Sequence, residues 1–212
     1  MICLCVKPLC VEISRIAGSA RIVHHPHVRI IAGKAGRIAI RVPSSVTRPT
    51  TDFVRQAVFS ILAGQVDGAR ALDLFAGSGA LGLEALSRGA ASCVFVEKQR
   101  QAASVISKNL EKSKLTGGRV ITSAVGAFLG RDTGQYDLIF ADPPYWKHAG
   151  DADEIANLLD GPALQARLAR DGWFIAEASS AYRPPQAPEF ELIDRRTYGS
   201  SAVLLYRAAT GD

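Results

Sequence analysis

A buried strand that hands over to a helix through a glycine-rich turn constrains this chain more than any other feature. Ala71–Phe75 is an apolar run broken by one acid, Asp73. The turn Ala76-Gly77-Ser78-Gly79 follows, and residues from about Gly79 to Arg88 then read as a helix closed by Gly89. A strand, a turn and a helix in that order form the first half of a crossover unit, which requires a parallel sheet covered by helices. The rest of the chain keeps the alternation. Ser92–Val96 (ending in Glu97), Arg119–Thr122, Tyr136–Ala141 and Trp173–Glu177 are expected strands. Between them, helices are expected from Gln99 to about Lys114, over Ala124–Leu129, and over Asp151–Leu159 and Ala163–Ala169, the last two separated by Gly161-Pro162. Phe190–Thr197 and Ala202–Tyr206, joined by Tyr198-Gly-Ser-Ser201, close the chain as an antiparallel pair.

Upstream the pattern differs. Val28–Ile31 and Arg37–Val42 are short β-like runs around Ala32-Gly-Lys-Ala-Gly36, a hairpin signature. Thr50 or Thr51 then caps a helix with apolar positions Val54, Val58, Phe59, Ile61 and Leu62, ending near Gly64. Residues 1–27 show no sustained period and are read as a loosely ordered leader. Residues 28–64 are expected to form an N-terminal hairpin and helix, and 65–208 a separate domain of alternating strands and helices. The fold class expected is α/β, a mostly parallel sheet plus a small N-terminal hairpin.

Charge is distributed unevenly. The net charge is +5, yet residues 1–55 hold nine Lys or Arg against Glu12 and Asp52, so the positive field belongs to the N-terminal quarter. A local basic segment suits a phosphate backbone as well as it suits a solvated tail. Cys3, Cys5 and Cys10, with His24, His25 and His27 downstream, match no standard zinc-ligand spacing, so no metal is expected. Cys93, at the start of an apolar strand, is expected in the core. Nothing demands an oxidising compartment, a membrane or a dimer, so a cytoplasmic monomer is expected.

Two motifs carry chemistry. Gly77-x-Gly79-x-x-Gly82 matches the dinucleotide fingerprint, and Glu97 stands where a ribose-binding acid is expected. Asp73 argues against a dinucleotide, because a carboxylate beside this turn repels a pyrophosphate. S-adenosylmethionine carries a sulfonium and an ammonium, for which that carboxylate is an asset. On this reading Asp73, Phe75, Ala76, Gly77, Ser78, Gly79 and Glu97 bind the cofactor. Asp73 holds its methionine end, directly or through water, and Glu97 accepts from the ribose hydroxyls. Gly82 is assigned to close helix–sheet packing.

The second motif, Asp142-Pro143-Pro144-Tyr145, follows the strand Tyr136–Ala141. The Asp142 carboxylate and the Pro143 carbonyl can both accept from an –NH2 group, and the Tyr145 ring offers a face for a base. An aromatic amine is a weak nucleophile because its lone pair is delocalised. Two acceptors draw the nitrogen toward tetrahedral geometry and free that lone pair. The four residues are therefore the candidate catalytic set, and the target base must be splayed out to reach them.

Val28-Arg-Ile-Ile-Ala-Gly-Lys34, Arg48-Pro-Thr-Thr-Asp-Phe-Val-Arg55, the block Asp73–Arg88 and Asp142-Pro-Pro-Tyr145 together resemble the bacterial 16S ribosomal RNA guanine-N2 methyltransferases of the RsmD type. The resemblance runs from about Val28 to Tyr206. It implies a class I S-adenosylmethionine-dependent methyltransferase with a Rossmann-like seven-stranded sheet and a C-terminal antiparallel hairpin. It also implies a guanine N2 target in 16S ribosomal RNA or an assembling small subunit. Arg48 would lie near the pocket, and Arg29, Lys34, Arg37 and Arg41 would face RNA phosphates. Residues 1–27 extend beyond the family's usual start, and Ala124-Val125 stand where the family often has Asn-Ala. Three other readings stand beside it: an amino-methyltransferase acting on DNA or another RNA, an NAD-dependent oxidoreductase, and a non-catalytic RNA-binding module.

Overall fold

The computed structural model describes residues 28–43, 51–144 and 152–209. The expectations for the leader and its cysteines, for Arg48 and for Tyr145 fall outside these residues. The ordered elements are α1 (Asp52–Ile61), β1 (Arg70–Leu74), α2 (Ala80–Ser87), β2 (Ser92–Glu97), α3 (Arg100–Ser113), β3 (Gly118–Thr122), α4 (Val125–Leu129), β4 (Tyr136–Ala141), α5 (Glu154–Asp160), α6 (Pro162–Arg167), β5 (Leu168–Ser179), β6 (Phe190–Tyr198) and β7 (Ser201–Ala208).

The strands form one seven-stranded sheet in the order β3-β2-β1-β4-β5-β7-β6. The five on the β3-to-β5 side are parallel, and β7 runs antiparallel to both of its neighbours. The order reverses between β1 and β4. The chain winds outward from β1 through β2 to β3, then returns to pair β4 on the other side of β1. At such a switch point the helices leave in opposite directions, and a crevice opens at the carboxyl ends of the two strands.

Both faces of the sheet are covered, which is why its central strands are almost wholly apolar. Ala71, Cys93, Phe95, Leu138, Phe140 and Ile175 point into one core cluster, with residues of α1, α2 and the N-terminal segment. Leu72, Leu74, Val94, Val96, Ile139 and Phe174 point into the other, with residues of α4, α5 and α6. The Gly82 assignment agrees with its surroundings. A Cβ there would lie 2.3 Å from a ring carbon of Phe95 and 2.6 Å from the Cys93 sulfur, so only glycine lets α2 lie this close to β2.

The structure departs from expectation in three places. The N-terminal runs pair through a single antiparallel bridge, Arg29 with Ala39, rather than as two strands. Across this hairpin Ile30 N–H donates to the Ile38 carbonyl (3.0 Å) and Ile40 N–H to the Val28 carbonyl (2.9 Å), and the body claims other backbone groups of the segment. The Ile31 and Ala32 N–H groups donate to the Glu84 carboxylate (2.6 and 3.1 Å), Ala35 N–H donates to the Ser87 hydroxyl (2.9 Å), and Arg41 N–H donates to the Asn109 side chain (2.8 Å). Second, β5 begins at Leu168, inside the run expected to be helical. Leu168 pairs with Tyr136, and the register shifts before Leu138 meets Trp173. Third, α1 ends at Ile61 rather than near Gly64. Its start is as expected: the Thr51 hydroxyl accepts from Val54 N–H at 3.2 Å. Among the described residues no helix is long and apolar enough to cross a membrane.

Candidate active site

β1 ends in a contortion. Phe75 adopts a left-handed conformation (φ 57°), followed by Gly77 (φ 54°) and Gly79 (φ 79°). The two glycines take this shape at no steric cost, whereas an aromatic residue pays about 1–3 kcal/mol for it. Strain of that size persists only where the surroundings dictate the shape, and the bonds around the turn do so. Ala76 N–H donates to the Val96 carbonyl (3.0 Å) and Gly79 N–H to the Ala76 carbonyl (2.6 Å). Gly77 N–H donates to one Glu97 oxygen (2.9 Å), and Gln99 N–H donates to the other (2.8 Å). Glu97 therefore clamps the turn to the start of α3 and keeps further lone pairs for a ligand.

Asp73 lies beneath the turn, only 2% exposed. Its carboxylate accepts from Gly82 N–H at 2.9 Å, near the first turn of α2. Burial pushes its pKa up to about 8, helped by the negative charges of Asp142 and Glu97 and opposed by the Gly82 bond. The site thus gathers carboxylates from the ends of β1, β2 and β4. A cation brought to this edge would favour the ionised forms.

Asn109 was not singled out from the sequence. It is fully buried on α3 and joins two distant segments. Its amide N–H groups donate to the Ser78 carbonyl in the turn (3.0 Å) and to the Arg41 carbonyl in the N-terminal segment (2.9 Å), while its oxygen accepts from Arg41 N–H. The available signal was its position three residues after Ile106, on the apolar face of an amphipathic helix.

The second turn leaves β4 directly beside the first. Leu74 and Ala141 are register partners, so Phe75 and Asp142 emerge from neighbouring strands. Asp142 is half-buried, Pro143 buried and Pro144 exposed. Pro143, Pro144, Asp153, Ile155, Glu177 and Tyr182 line a small open pocket at this edge. Asp153 caps α5 by accepting from Ala156 N–H (3.0 Å), and the Tyr182 hydroxyl donates to the same carboxylate (3.0 Å). Burial and that carboxylate hold the Tyr182 phenol well above its ordinary pKa.

Arg29, Lys34, Arg37 and Arg41 are all exposed on the N-terminal segment, and Arg29 reaches Asp52 at 3.3 Å. Arg55, counted in the same basic stretch, is different. It is fully buried and donates to the Arg29 carbonyl (2.7 Å) and to Asp52 (2.8 Å). Burial lowers its pKa against the opposing pull of Asp52, Glu84 and Glu177. Glu84, also fully buried, pairs with Arg88 at 2.6 Å as well as holding the N-terminal segment. These two buried charges could not be told from surface ones in the sequence.

A family model described as "Conserved hypothetical protein 95" matches residues 28–207. The chain belongs to this family. It is 40% identical over 188 residues to the ribosomal RNA small subunit methyltransferase D of Escherichia coli strain K12, covering 87% of this chain and 92% of that one. It is 36% identical over 187 residues to a Bacillus subtilis protein named "Putative rRNA methyltransferase YlbH", covering 85% and 98%. A solved structure titled "Putative methyltransferase yhhF from Escherichia coli" superposes with a TM-score of 0.73 at 34% identity, covering 86% of this chain and 98% of that one. The fold of this family member is that of class I S-adenosylmethionine-dependent methyltransferases, as the sequence led one to expect.

Proposed function

We propose that this chain is a cytoplasmic, monomeric S-adenosylmethionine-dependent methyltransferase that modifies the exocyclic N2 amine of one guanine in 16S ribosomal RNA during small-subunit maturation. One observation carries the reading. The glycine turn and the Asp142-Pro143-Pro144 turn leave adjacent strands at the switch point, within electrostatic reach of each other. A donor site and an amine-gripping site are useful to one another only at such short range.

The donor set fits the cofactor. Carboxylates from three strand ends suit a ligand with a sulfonium and an ammonium, and they oppose the pyrophosphate that an oxidoreductase would have to bind here. When bound, S-adenosylmethionine supplies an electrophilic methyl group. Gly77 and Gly79 let the backbone approach it, and Glu97 receives the ribose hydroxyls. Asp73 acts from below, through its charge and its hold on α2. The Asp142 carboxylate and the Pro143 carbonyl accept from the guanine amine, aim its lone pair and localise it on nitrogen. The proton shed by the amine passes to Asp142 and then to water. Tyr145 stacks on the base, worth roughly 1–3 kcal/mol. Arg29, Lys34, Arg37, Arg41 and Arg48 contact the RNA, the first four at phosphates, setting register rather than sequence. The names of the curated relatives support ribosomal RNA as the substrate.

The test is transfer of labelled methyl from S-adenosylmethionine to small subunits that lack the modification, followed by digestion to nucleosides. Label in N2-methylguanosine is the expected result. Label in methyladenosine or methylcytidine would overturn the choice of base and leave the chemistry standing. Cofactor binding without any transfer would overturn the substrate.

A further inference from the structure

The amine-gripping turn has a neighbour outside its own motif. β4 and β5 run parallel with Ala141 opposite Ala176. The next residue on each strand is Asp142 on one and Glu177 on the other, and adjacent strands lie about 4.8 Å apart. Glu177 lines the same pocket as Pro143 and Pro144. It is only 8% exposed. Arg55 on α1 is buried, and its guanidinium feels the charge of Glu177. Asp153, on the α5 side of the pocket, holds the Tyr182 hydroxyl and the first turn of α5.

A carboxylate accepts hydrogen bonds and donates none. On the pairing edge of guanine, the amine on C2 adjoins N1–H, so two donors stand side by side. On adenine and cytosine the amine adjoins a ring nitrogen that carries a lone pair. An acceptor-only side chain next to the amine grip therefore welcomes guanine and repels the other two. Rejection is strong when the mismatch leaves buried polar groups unpaired.

We propose that Glu177 determines the choice of base: its carboxylate accepts the N1–H of the target guanine while Asp142 and the Pro143 carbonyl hold the N2 amine. This rests on the guanine-N2 reading above and adds to it the residue that selects the base.

The test uses small subunits reconstituted with 16S RNA that carries either guanine or 2-aminopurine at the modified position. 2-Aminopurine keeps the amine on C2 but presents a lone pair at N1. The wild-type enzyme should use it about tenfold less well or worse, as kcat/KM, for loss of one buried hydrogen bond. Glu177→Gln should lose a similar factor on guanine and gain on 2-aminopurine, because the glutamine N–H can meet the N1 lone pair. The preference between the two bases then shrinks or inverts, while S-adenosylmethionine affinity stays near wild type. A variant equally impaired on both bases would overturn the proposal and assign Glu177 to the scaffold. Equal use of both bases by the wild type would overturn it as well. If Glu177→Gln fails to fold, Glu177→Asp keeps the charge facing Arg55 and shortens the reach. It should narrow the same preference, and an unchanged preference would sink the idea. Wild-type label in a base other than guanine is a separate outcome, which removes the underlying reading and this one with it.

Discussion

The turn after β1 and the turn after β4 leave neighbouring strands of one sheet, yet they are built in different ways. The first is held by bonds. Glu97, Asn109 and the carbonyls of Ala76 and Val96 fix its backbone, Gly82 ties down the acid beneath it, and Phe75 is kept in a strained conformation. The second is held by covalent chemistry. Two consecutive prolines restrict its backbone and supply carbonyls but no N–H groups. A turn braced from within suits a cofactor that must bind the same way in every cycle. A turn rich in acceptors beside an open pocket suits a polar group arriving from a large partner.

The sharpest way to break this contrast is to remove the acceptor from the second turn. Asp142→Ala should lower single-turnover transfer by at least about a hundredfold, the scale of losing a positioned acid–base group. S-adenosylmethionine affinity should stay within a few-fold by titration. Turnover near wild type would place the amine grip elsewhere.

Asp73 tests the first turn through pH. Its folded pKa lies near 8 against 3.8 for the free group, so the folded protein holds a proton there that the unfolded chain has released. Stability contributed by this group is present below about pH 4 and is lost as pH rises toward 8. Asp73→Asn removes that slope, so the stability difference between variant and wild type should widen in the variant's favour from pH 4 to 8. Cofactor affinity should move the opposite way. The wild type gains affinity over the variant as the carboxylate ionises, reaching about tenfold above pH 8 for one added charge near a cation. Parallel titration curves for the two proteins would remove the role given to Asp73.

Asn109→Ala probes the brace itself. It strands the Ser78 carbonyl and both backbone groups of Arg41, and should cost about 2–3 kcal/mol in denaturant unfolding. Cofactor affinity should fall roughly fivefold with it, because the freed carbonyl lies in the turn. Loss of stability with intact affinity would separate the brace from the site.

Much of this contrast was legible in the sequence. The bounds of β4, the glycine turn and the two motifs all follow from local pattern, because a strand ending in a special turn needs specific residues at fixed offsets. Glu97 was legible as a strand-end acid, but its bonds to Gly77 and Gln99 were not, since they depend on how the chain folds back. The burial of Arg55 and Glu84 was not legible, because it is decided by segments many residues away. The start of β5 was read as helix because Leu168 and Ala169 fit either period, and only pairing with Tyr136 selects the strand. The N-terminal runs were legible as extended and apolar. That Glu84, Ser87 and Asn109 would take up their backbone groups was not.

The smallest effect is expected on the exposed N-terminal segment. Replacing Lys34, Arg37 and Arg41 together by alanine should raise the KM for small subunits a few-fold and leave kcat unchanged. It should also lower the salt dependence of binding by about one in slope for each phosphate no longer neutralised. An unaltered salt slope would mean that this segment faces solvent.

The most direct measurement is a crystal structure with S-adenosylhomocysteine, the product left after methyl transfer. The expected complex has its ribose at Glu97, its amino-acid end over Gly77–Gly79 and its sulfur facing the Asp142–Pro143 peptide. A ligand bound away from this edge, or a sulfur turned away from Asp142, would contradict the claim that the two turns form one site.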